Sequence, residues 1–155
     1  MLKYVKGDLL SVTSGIIAHG VNCRGAFGSG VAGQIAKLYP SVRQFYLDKY
    51  NTDGWELGNV QFIFLNPSHL GNDITIANVA SQDDYGTDKV NVDYSGLAIG
   101  LETVFRYAEK FNLSVALPKI GCGLAGGSWE VVERIITTLL MKYPISVTIY
   151  EYEGK

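Results

Sequence analysis

Two glycine-rich clusters are the parts of this sequence best suited to chemistry. Residues 25–30 read Gly-Ala-Phe-Gly-Ser-Gly, and residues 120–128 read Ile-Gly-Cys-Gly-Leu-Ala-Gly-Gly-Ser. Each cluster joins a predicted buried strand to a predicted helix, where backbone N–H groups and the positive end of the helix dipole attract a phosphate. A glycine-rich turn can also serve only as a tight connection, and one cluster alone would leave both interpretations open.

The two clusters together favour a diphosphate ligand. Parallel strands end at the same edge of a sheet, so both loops would border one crevice and contact a pyrophosphate from two sides. Neither cluster reads G-x-x-x-x-G-K-[ST]. Gly28, Gly30 and Gly33 have the G-x-G-x-x-G spacing, but no acidic residue placed about 20 residues later fits the dinucleotide-binding fold. ATP hydrolysis is therefore disfavoured.

Short apolar or alternating runs predict the strands that carry these loops. The runs lie at residues 3–6, 15–21, 60–65, 73–80, 114–118 and 145–150. Asn66, Pro67, Gly71 and Asn72 separate the third run from the fourth and favour a loop. A hairpin is one arrangement that this loop allows.

Apolar stripes of helical period predict the helices. The first helix begins near Ser29 and is stopped or redirected at Pro40. A second stripe runs through residues 97–108 and a third through residues 132–140, with Ser128 in position to cap the last helix.

The chain between residues 46 and 55 has helical character and then a turn at Asp53-Gly54. Apolar strands that alternate with helices predict an α/β fold, a three-layer α/β/α sandwich around a mixed, mostly parallel sheet. No repeat, linker or low-complexity tract divides the chain, so residues 1–155 are expected to form a single domain.

Composition excludes several classes of function. The net charge of −2 gives no uniform positive field, so capture of duplex nucleic acid or of an anionic membrane by bulk electrostatics is not expected. No apolar run approaches the roughly 20 residues of a membrane span, and the N-terminus lacks the pattern of a secretory signal. We expect a cytosolic protein.

The chain has too few cysteine and histidine residues for a disulfide framework or a structural zinc site. Cys23 and Cys122 cannot form a disulfide framework, and two histidines do not supply a zinc-type cluster, so no metal is predicted. Both cysteines lie in predicted ligand loops. Neither has a base adjacent in sequence, so a nucleophilic role is disfavoured.

Four segments form an ordered set of motifs along the chain: Val5–Leu10, Ile17–Asn22, Gly28–Ala32 and Pro118–Leu124. In order and spacing they resemble the signatures of macro domains, a family of ADP-ribose-binding modules. The G-C-G-L loop followed by Trp129-Glu130 is similar to the branch that removes ADP-ribose from proteins and DNA. The His-Gly-Val-Asn run and Tyr39-Pro40 are similar to ADP-ribose-1''-phosphate phosphatases of yeast and to related phage proteins.

The resemblance implies how ADP-ribose would be held. Asp8, followed by Leu9, would contact adenine through the exocyclic amine, and Tyr150 would flank the ring. The pyrophosphate would lie between the backbones of the two glycine clusters. The contacting residues would be Gly28, Ser29, Gly30 and Val31 on one side and Gly121, Cys122, Gly123, Leu124 and Ala125 on the other. From the residues alone, Asp8 could also be a turn cap and Tyr150 a core or surface side chain.

The resemblance also implies catalytic residues at the distal ribose. Asn22 would bind the ribose hydroxyls, and His19 would transfer protons beside the phosphate, although a buried histidine bonded within the sheet is the competing interpretation. Gln82 and Tyr85 would help to position water. The neighbouring Asp83 and Asp84 could assist them or could be solvated loop acids.

The glycohydrolase branch uses a lysine and an aspartate that this chain lacks at the matching positions. Ala125 occupies the place of the aspartate, and no Thr-Lys pair occurs in residues 80–86. Lys89 could replace the lysine only if its loop folded back over the ribose.

The sequence therefore predicts an ADP-ribose-binding macro domain that hydrolyses ADP-ribose-1''-phosphate to ADP-ribose and phosphate. The alternatives are a glycohydrolase acting on ADP-ribosylated protein or DNA and a non-catalytic reader of ADP-ribosylation. A binder of single-stranded nucleic acid is disfavoured by the net charge. No cofactor is expected to be required. The expected partners are ADP-ribose or an ADP-ribosylated small molecule, protein or DNA, and the chain is expected to be a monomer.

Overall fold

A six-stranded mixed sheet organises the part of the chain that the computed structural model describes, residues 1–65, 73–85, 90–123 and 125–152. In chain order the strands are β1 (Leu2–Lys6), β2 (Ser14–Asn22), β3 (Val60–Phe64), β4 (Asp73–Gln82), β5 (Val115–Leu117) and β6 (Val147–Glu151). Their order across the sheet is β1-β6-β5-β2-β4-β3. β3 is antiparallel to β4, and the other neighbours are parallel.

Helices cover both faces of this sheet. They are α1 (Gly30–Leu38), α2 (Pro40–Thr52), α3 (Tyr94–Lys110) and α4 (Trp129–Lys142). β2 is apolar on both sides: Ile16 belongs to the core shared with α3 and α4, whereas Ile17 belongs to the core shared with α1 and α2. This alternation is typical of a central strand buried on both faces, and the predicted three-layer sandwich is confirmed.

The boundaries of the first two helices follow from proline and glycine. Pro40 occupies the first turn of α2, and Tyr39 ends α1 and precedes α2, so the predicted redirection at Pro40 is confirmed. α2 then ends at a turn in which Gly54 adopts a φ of 77°, in the left-handed region that favours glycine.

β3 and β4 form the hairpin that the sequence allowed. Asn66, Pro67, Gly71 and Asn72, which lie between them in sequence, are outside the described residues.

Several boundaries differ from the sequence prediction. β4 continues to Gln82, and β6 begins only at Val147. Ser128 occupies the N-cap position of α4, but its side chain makes no capping bond; its backbone N–H donates to the Tyr94 hydroxyl at 2.9 Å.

None of the helices in the described ranges combines the length and the apolar character that a bilayer span requires.

Candidate functional site

A cleft of about 660 Å³ lies at the carboxyl ends of β2, β4 and β5. The carboxyl edge of a parallel sheet is where α/β folds place their ligands. The lining residues come from the end of β2, the loop into α1, the end of β4 with the loop after it, and the loop after β5. They are His19, Gly20, Val21, Asn22, Ala26, Gly28, Ser29, Gly30, Val31, Ala32, Gln82, Tyr85, Pro118, Lys119, Ile120, Gly121, Gly123 and Ala125.

Both glycine clusters border this one cleft. Ser29 and Gly30 line it from the start of α1, and Gly121 and Gly123 line it from the loop after β5. Ser29 is the N-cap residue of α1 and makes no capping bond with its side chain, so the first-turn N–H groups of the helix lie at the cleft without a side-chain cap. The positive end of the helix dipole therefore adjoins the cleft.

Some of these glycines are required by the protein itself. Gly121 has a φ of 80°, and a Cβ there would lie 2.9 Å from Val92. A Cβ on Gly127 would lie 2.5 Å from the Gly121 oxygen, which accepts a bond from the Gly127 N–H at 2.7 Å. These two glycines make the second loop compact.

Gly28 and Gly123 differ from them. A Cβ at either position would meet nothing within 4 Å, and neither residue has a φ in the left-handed region. The fold therefore does not require glycine at these two positions. Both residues are exposed and line the cleft, so the missing side chains leave open space for a ligand to approach the backbone.

His19 is buried at the inner wall of the cleft, with 1% of its surface exposed. Its Nε2 lies 2.5 Å from Asn78 Oδ1, and its ring packs edge-on against Phe27. Burial lowers the pKa of His19 to about 4, and the bond to Asn78 opposes that shift. The imidazole is thus neutral at pH 7. Its Nδ1 has no hydrogen-bond partner among the described residues.

Asn22 uses its carboxamide to shape the loop that follows β2. Its Nδ2 donates to the Ala26 oxygen at 2.7 Å, and its Oδ1 accepts from the backbone N–H groups of Arg24 and Ala26 at 2.9 and 3.2 Å. The Tyr46 hydroxyl lies 2.9 Å from the same Oδ1. Asn22 therefore lines the cleft and positions the loop at the same time.

A clasp joins this loop to the loop after β4. The Arg24 guanidinium pairs with the Asp83 carboxylate at 3.0 Å and also donates to the Asp83 backbone oxygen at 3.2 Å. Gln82 and Tyr85, on either side of Asp83 and Asp84, line the cleft, whereas the two aspartates do not. Asp84 accepts a bond from the Tyr85 N–H at 2.8 Å.

Four of the residues predicted to bind the ligand do not line the cleft. Asp8 accepts a bond from the Leu10 N–H at 2.9 Å and caps a short 3-10 turn, and Leu9 is buried in the core beneath α1 and α2. Tyr150 packs partly against that core. The Cys122 thiol contacts the Ile120 oxygen at 3.5 Å. Ligand contact by these residues stays a prediction, and Leu124 and Lys89 lie outside the described residues.

Neither cysteine is activated. Burial raises the pKa of the Cys23 thiol, and the nearby Asp83 raises it further. Burial also raises the pKa of the Cys122 thiol. Both groups are protonated at neutral pH, which disfavours a thiolate nucleophile.

Sequence reasoning missed three residues around the cleft. Lys119 lines it and pairs with Glu151 at 3.0 Å. Asn78, which is fully buried, holds His19, and Gln61 holds Asn78. A signal existed for Asn78, since it is a single amide within the apolar run of β4. Among the described residues no three His, Cys, Asp or Glu side chains group to hold a metal ion.

A family model described as Macro domain matches residues 18–136, which include the end of β2, the loop into α1 and the first half of α4. The chain belongs to the macro domain family. This match agrees with the position of the cleft at the carboxyl edge of the sheet.

Named relatives of this macro domain include two kinds of enzyme. The chain is 30% identical to an ADP-ribose 1''-phosphate phosphatase of Debaryomyces hansenii, over 88% of this chain and 92% of that protein. It is 26% identical to a DNA ADP-ribosyl glycohydrolase of Mycobacterium tuberculosis, over 99% of this chain but 43% of that protein. A macrodomain protein structure from Streptomyces coelicolor superposes with a TM-score of 0.80 at 29% identity, covering 97% of this chain and 98% of the other.

Proposed function

We propose that this macro domain binds ADP-ribose in the cleft and hydrolyses ADP-ribose-1''-phosphate to ADP-ribose and phosphate. The observation that carries the proposal is the open space at Gly28 and Gly123 on two loops of one cleft. Glycines that the fold does not need are explained by a ligand that approaches the backbone closely. A volume of about 660 Å³ is also in the usual range for a small-molecule site.

The charge of the cleft supports a pyrophosphate held by neutral groups. Among the described lining residues Lys119 is the one charged side chain, and it already pairs with Glu151. Backbone N–H groups at the start of α1 and in the loop after β5 therefore carry the anion binding.

The two ends of the cleft support one orientation of the ligand. Lys119 marks the end near β6, because it pairs with Glu151 on that strand. Tyr150 precedes Glu151, and the Glu151 backbone oxygen accepts a bond from Gly7, which precedes Asp8. That end suits adenine. His19 and Asn22 mark the end near β2 and β4, which suits the distal ribose and its phosphate.

The proposed chemistry uses His19 as an acceptor. A neutral imidazole with a free Nδ1 can accept a hydrogen bond from the attacking water or from a ribose hydroxyl. The phosphatase is preferred because the relative with that name matches nearly its whole length, and because Ala125 stands where the glycohydrolase branch is expected to have an aspartate. Glycohydrolase activity is the second candidate, supported by the M. tuberculosis relative.

Turnover of purified protein with ADP-ribose-1''-phosphate, followed by mass spectrometry, tests the proposal. We expect release of phosphate. In His19→Ala kcat should fall by roughly 100-fold or more, which is the usual effect of removing a group that transfers a proton in the reaction. The exposed Thr137→Ala on α4 is the control and should keep full activity. Protein that binds ADP-ribose but turns over no substrate would instead be a reader.

Calorimetry with ADP-ribose, ADP and AMP tests the orientation. Affinity should fall when the distal ribose is removed and again when the pyrophosphate is removed. The single-domain organisation, the monomeric state and the cytosolic location stay predictions from the sequence.

A further inference from the structure

A chain of side-chain hydrogen bonds crosses three neighbouring strands beneath the cleft. Asn78 on β4 stands opposite His19 on β2, and Gln61 on β3 stands opposite Asn78. His19 Nε2 lies 2.5 Å from Asn78 Oδ1, and Asn78 Nδ2 donates to Gln61 Oε1 at 3.0 Å. Gln61 Nε2 donates to the backbone oxygen of Phe45 on α2, also at 3.0 Å.

The last member of this chain sets the direction of every bond before it. A carbonyl oxygen can only accept, so Gln61 must turn its NH₂ group toward Phe45 and its oxygen toward Asn78. Asn78 must then present NH₂ to Gln61 and its own oxygen to His19. An amide oxygen next to a ring nitrogen requires a proton on that nitrogen, so Nε2 of His19 is protonated.

The reversed arrangement is unfavourable. If both amides were flipped, Gln61 Oε1 would face the Phe45 oxygen with no proton between the two acceptors. The reversal would also turn the Asn78 NH₂ group toward Nε2 and place the ring proton on Nδ1, where a buried N–H group would have no partner among the described residues. The direction with Asn78 Oδ1 toward Nε2 is therefore preferred.

We infer that Asn78 and Gln61 are positioning residues that hold His19 in the Nε2–H tautomer and leave the Nδ1 lone pair as the acceptor at the cleft. The inference rests on the proposed function only for what Nδ1 would contact, a water or a ribose hydroxyl of the substrate. Nδ1 is buried and has no partner among the described residues, and the histidine lines the cleft.

The neutrality of the ring supports this assignment. Because burial lowers the pKa of His19 to about 4, the ring carries one proton at neutral pH, and that proton can occupy only one of the two nitrogens. A proton on Nε2 excludes one on Nδ1. His19 then accepts hydrogen bonds at the cleft and does not donate them there.

Nitrogen NMR of the wild-type protein is the direct test. In ¹⁵N-histidine-labelled protein, correlations from the carbon-bound ring protons report which ring nitrogen carries hydrogen. The chain has two histidines, His19 and His69, and the signals absent from His19→Gln identify His19. We expect a protonated Nε2 and a bare Nδ1 at pH 7. A protonated Nδ1, or an equal mixture of tautomers, would overturn the inference.

Matched variants test the role of the two amides. Gln61→Leu removes the group that orients Asn78, so the His19 signals should change to those of a mixture of tautomers. The kcat should fall by about tenfold or more, a smaller loss than in His19→Ala. Asn78→Leu removes the acceptor opposite Nε2 and should also give a mixture of tautomers. Gln44→Leu removes an exposed side-chain bond to Asp48 within α2 and should change neither the tautomer nor kcat.

Thermal unfolding of each variant separates misfolding from a tautomer change. A folded Gln61→Leu protein with an unchanged tautomer would refute the role of Gln61. A protein that shows the expected tautomer and its loss in Gln61→Leu, yet never releases phosphate, would support the inference and refute the proposed phosphatase activity.

Discussion

The two ends of the cleft are built differently. At the β2 end, defined by His19 and Asn22, the polar groups are almost completely buried and are bonded to several elements of the fold. At the β6 end, defined by Lys119 and Glu151, the side chains pair at 3.0 Å but remain 43% and 33% exposed. The β2 end is organised before any ligand arrives, whereas the β6 end can adjust to one. Groups that are organised in advance, as at the β2 end, favour catalysis. Groups that can adjust, as at the β6 end, favour tolerance of different ligands.

The largest expected effect lies at the β2 end. Asn22→Ala leaves the N–H groups of Arg24 and Ala26 and the Ala26 oxygen without their partner, so the free energy of unfolding should fall by about 3 kcal/mol. Urea unfolding measures this change, and ADP-ribose affinity should fall with it. Asn22→Asp keeps the accepting oxygen and should lose less. A fully stable Asn22→Ala protein would remove the basis of the comparison.

Acid should destabilise the β2 end through His19. In the unfolded chain the histidine pKa is near 6.5, and in the folded protein it is about 4, so the unfolded state binds the proton more tightly. Stability is fully present above pH 6.5 and is lost as the pH falls toward 4. The contribution of His19 amounts to about 2 kcal/mol between pH 7 and pH 5.

The variant His19→Gln isolates this contribution. Denaturant unfolding of both proteins at pH 7 and pH 5 gives a double difference that excludes the carboxylates. If the two proteins lose the same stability over this range, His19 is not buried as a neutral group.

Gly28 and Gly123, between the two ends, should affect binding without affecting the fold. Alanine at either position fits the backbone and meets no neighbour, so stability should be unchanged or slightly higher. The new methyl group enters the ligand space, and ADP-ribose affinity should fall by about tenfold, or 1.4 kcal/mol. Calorimetry and thermal unfolding measure the two properties.

Gly127→Ala is the contrasting variant. A Cβ there would lie 2.5 Å from the Gly121 oxygen, so this change should destabilise the protein itself. Equal loss of stability in Gly127→Ala and Gly123→Ala would contradict the assignment of Gly123 to a ligand.

The smallest effect is expected at the β6 end. Exposed ion pairs contribute about 0 to 1 kcal/mol, so Lys119→Ala should weaken ADP-ribose binding by less than about fivefold. Titration calorimetry measures the affinity, and the unfolding midpoint should stay the same. A loss of 100-fold would mean that Lys119 contacts the pyrophosphate directly and that the neutral loops are not sufficient.

The sequence predicted the parts of the fold that depend on local periodicity. Residues close together in sequence predict the two apolar faces of β2, the apolar stripe of α3 and the glycine loops after β2 and β5. The two loops lie at one edge of the sheet because β2 and β5 are parallel. The end of β4 was predicted two residues short because Ser81 and Gln82 are polar, although Ser81 is fully buried.

The link between His19 and Gln61 could not be predicted in the same way. The two residues are 42 positions apart in sequence, and each forms a hydrogen bond with Asn78. This link depends on the register of two strand pairs, β2 with β4 and β3 with β4. Asn22 posed a different difficulty. Its residue type suits a ribose contact as well as a loop bond, and only the positions of Ala26 and Arg24 reveal the second role.

The absence of free cations among the described lining residues has a consequence for working conditions. A protein that neutralises many phosphates with lysine and arginine releases bound counterions, so its affinity declines steeply with ionic strength. A cleft that holds its anion with amide N–H groups and a helix terminus displaces few such ions. Recognition in this macro domain should therefore persist across the range of salt concentrations that would release a protein held on nucleic acid by charge.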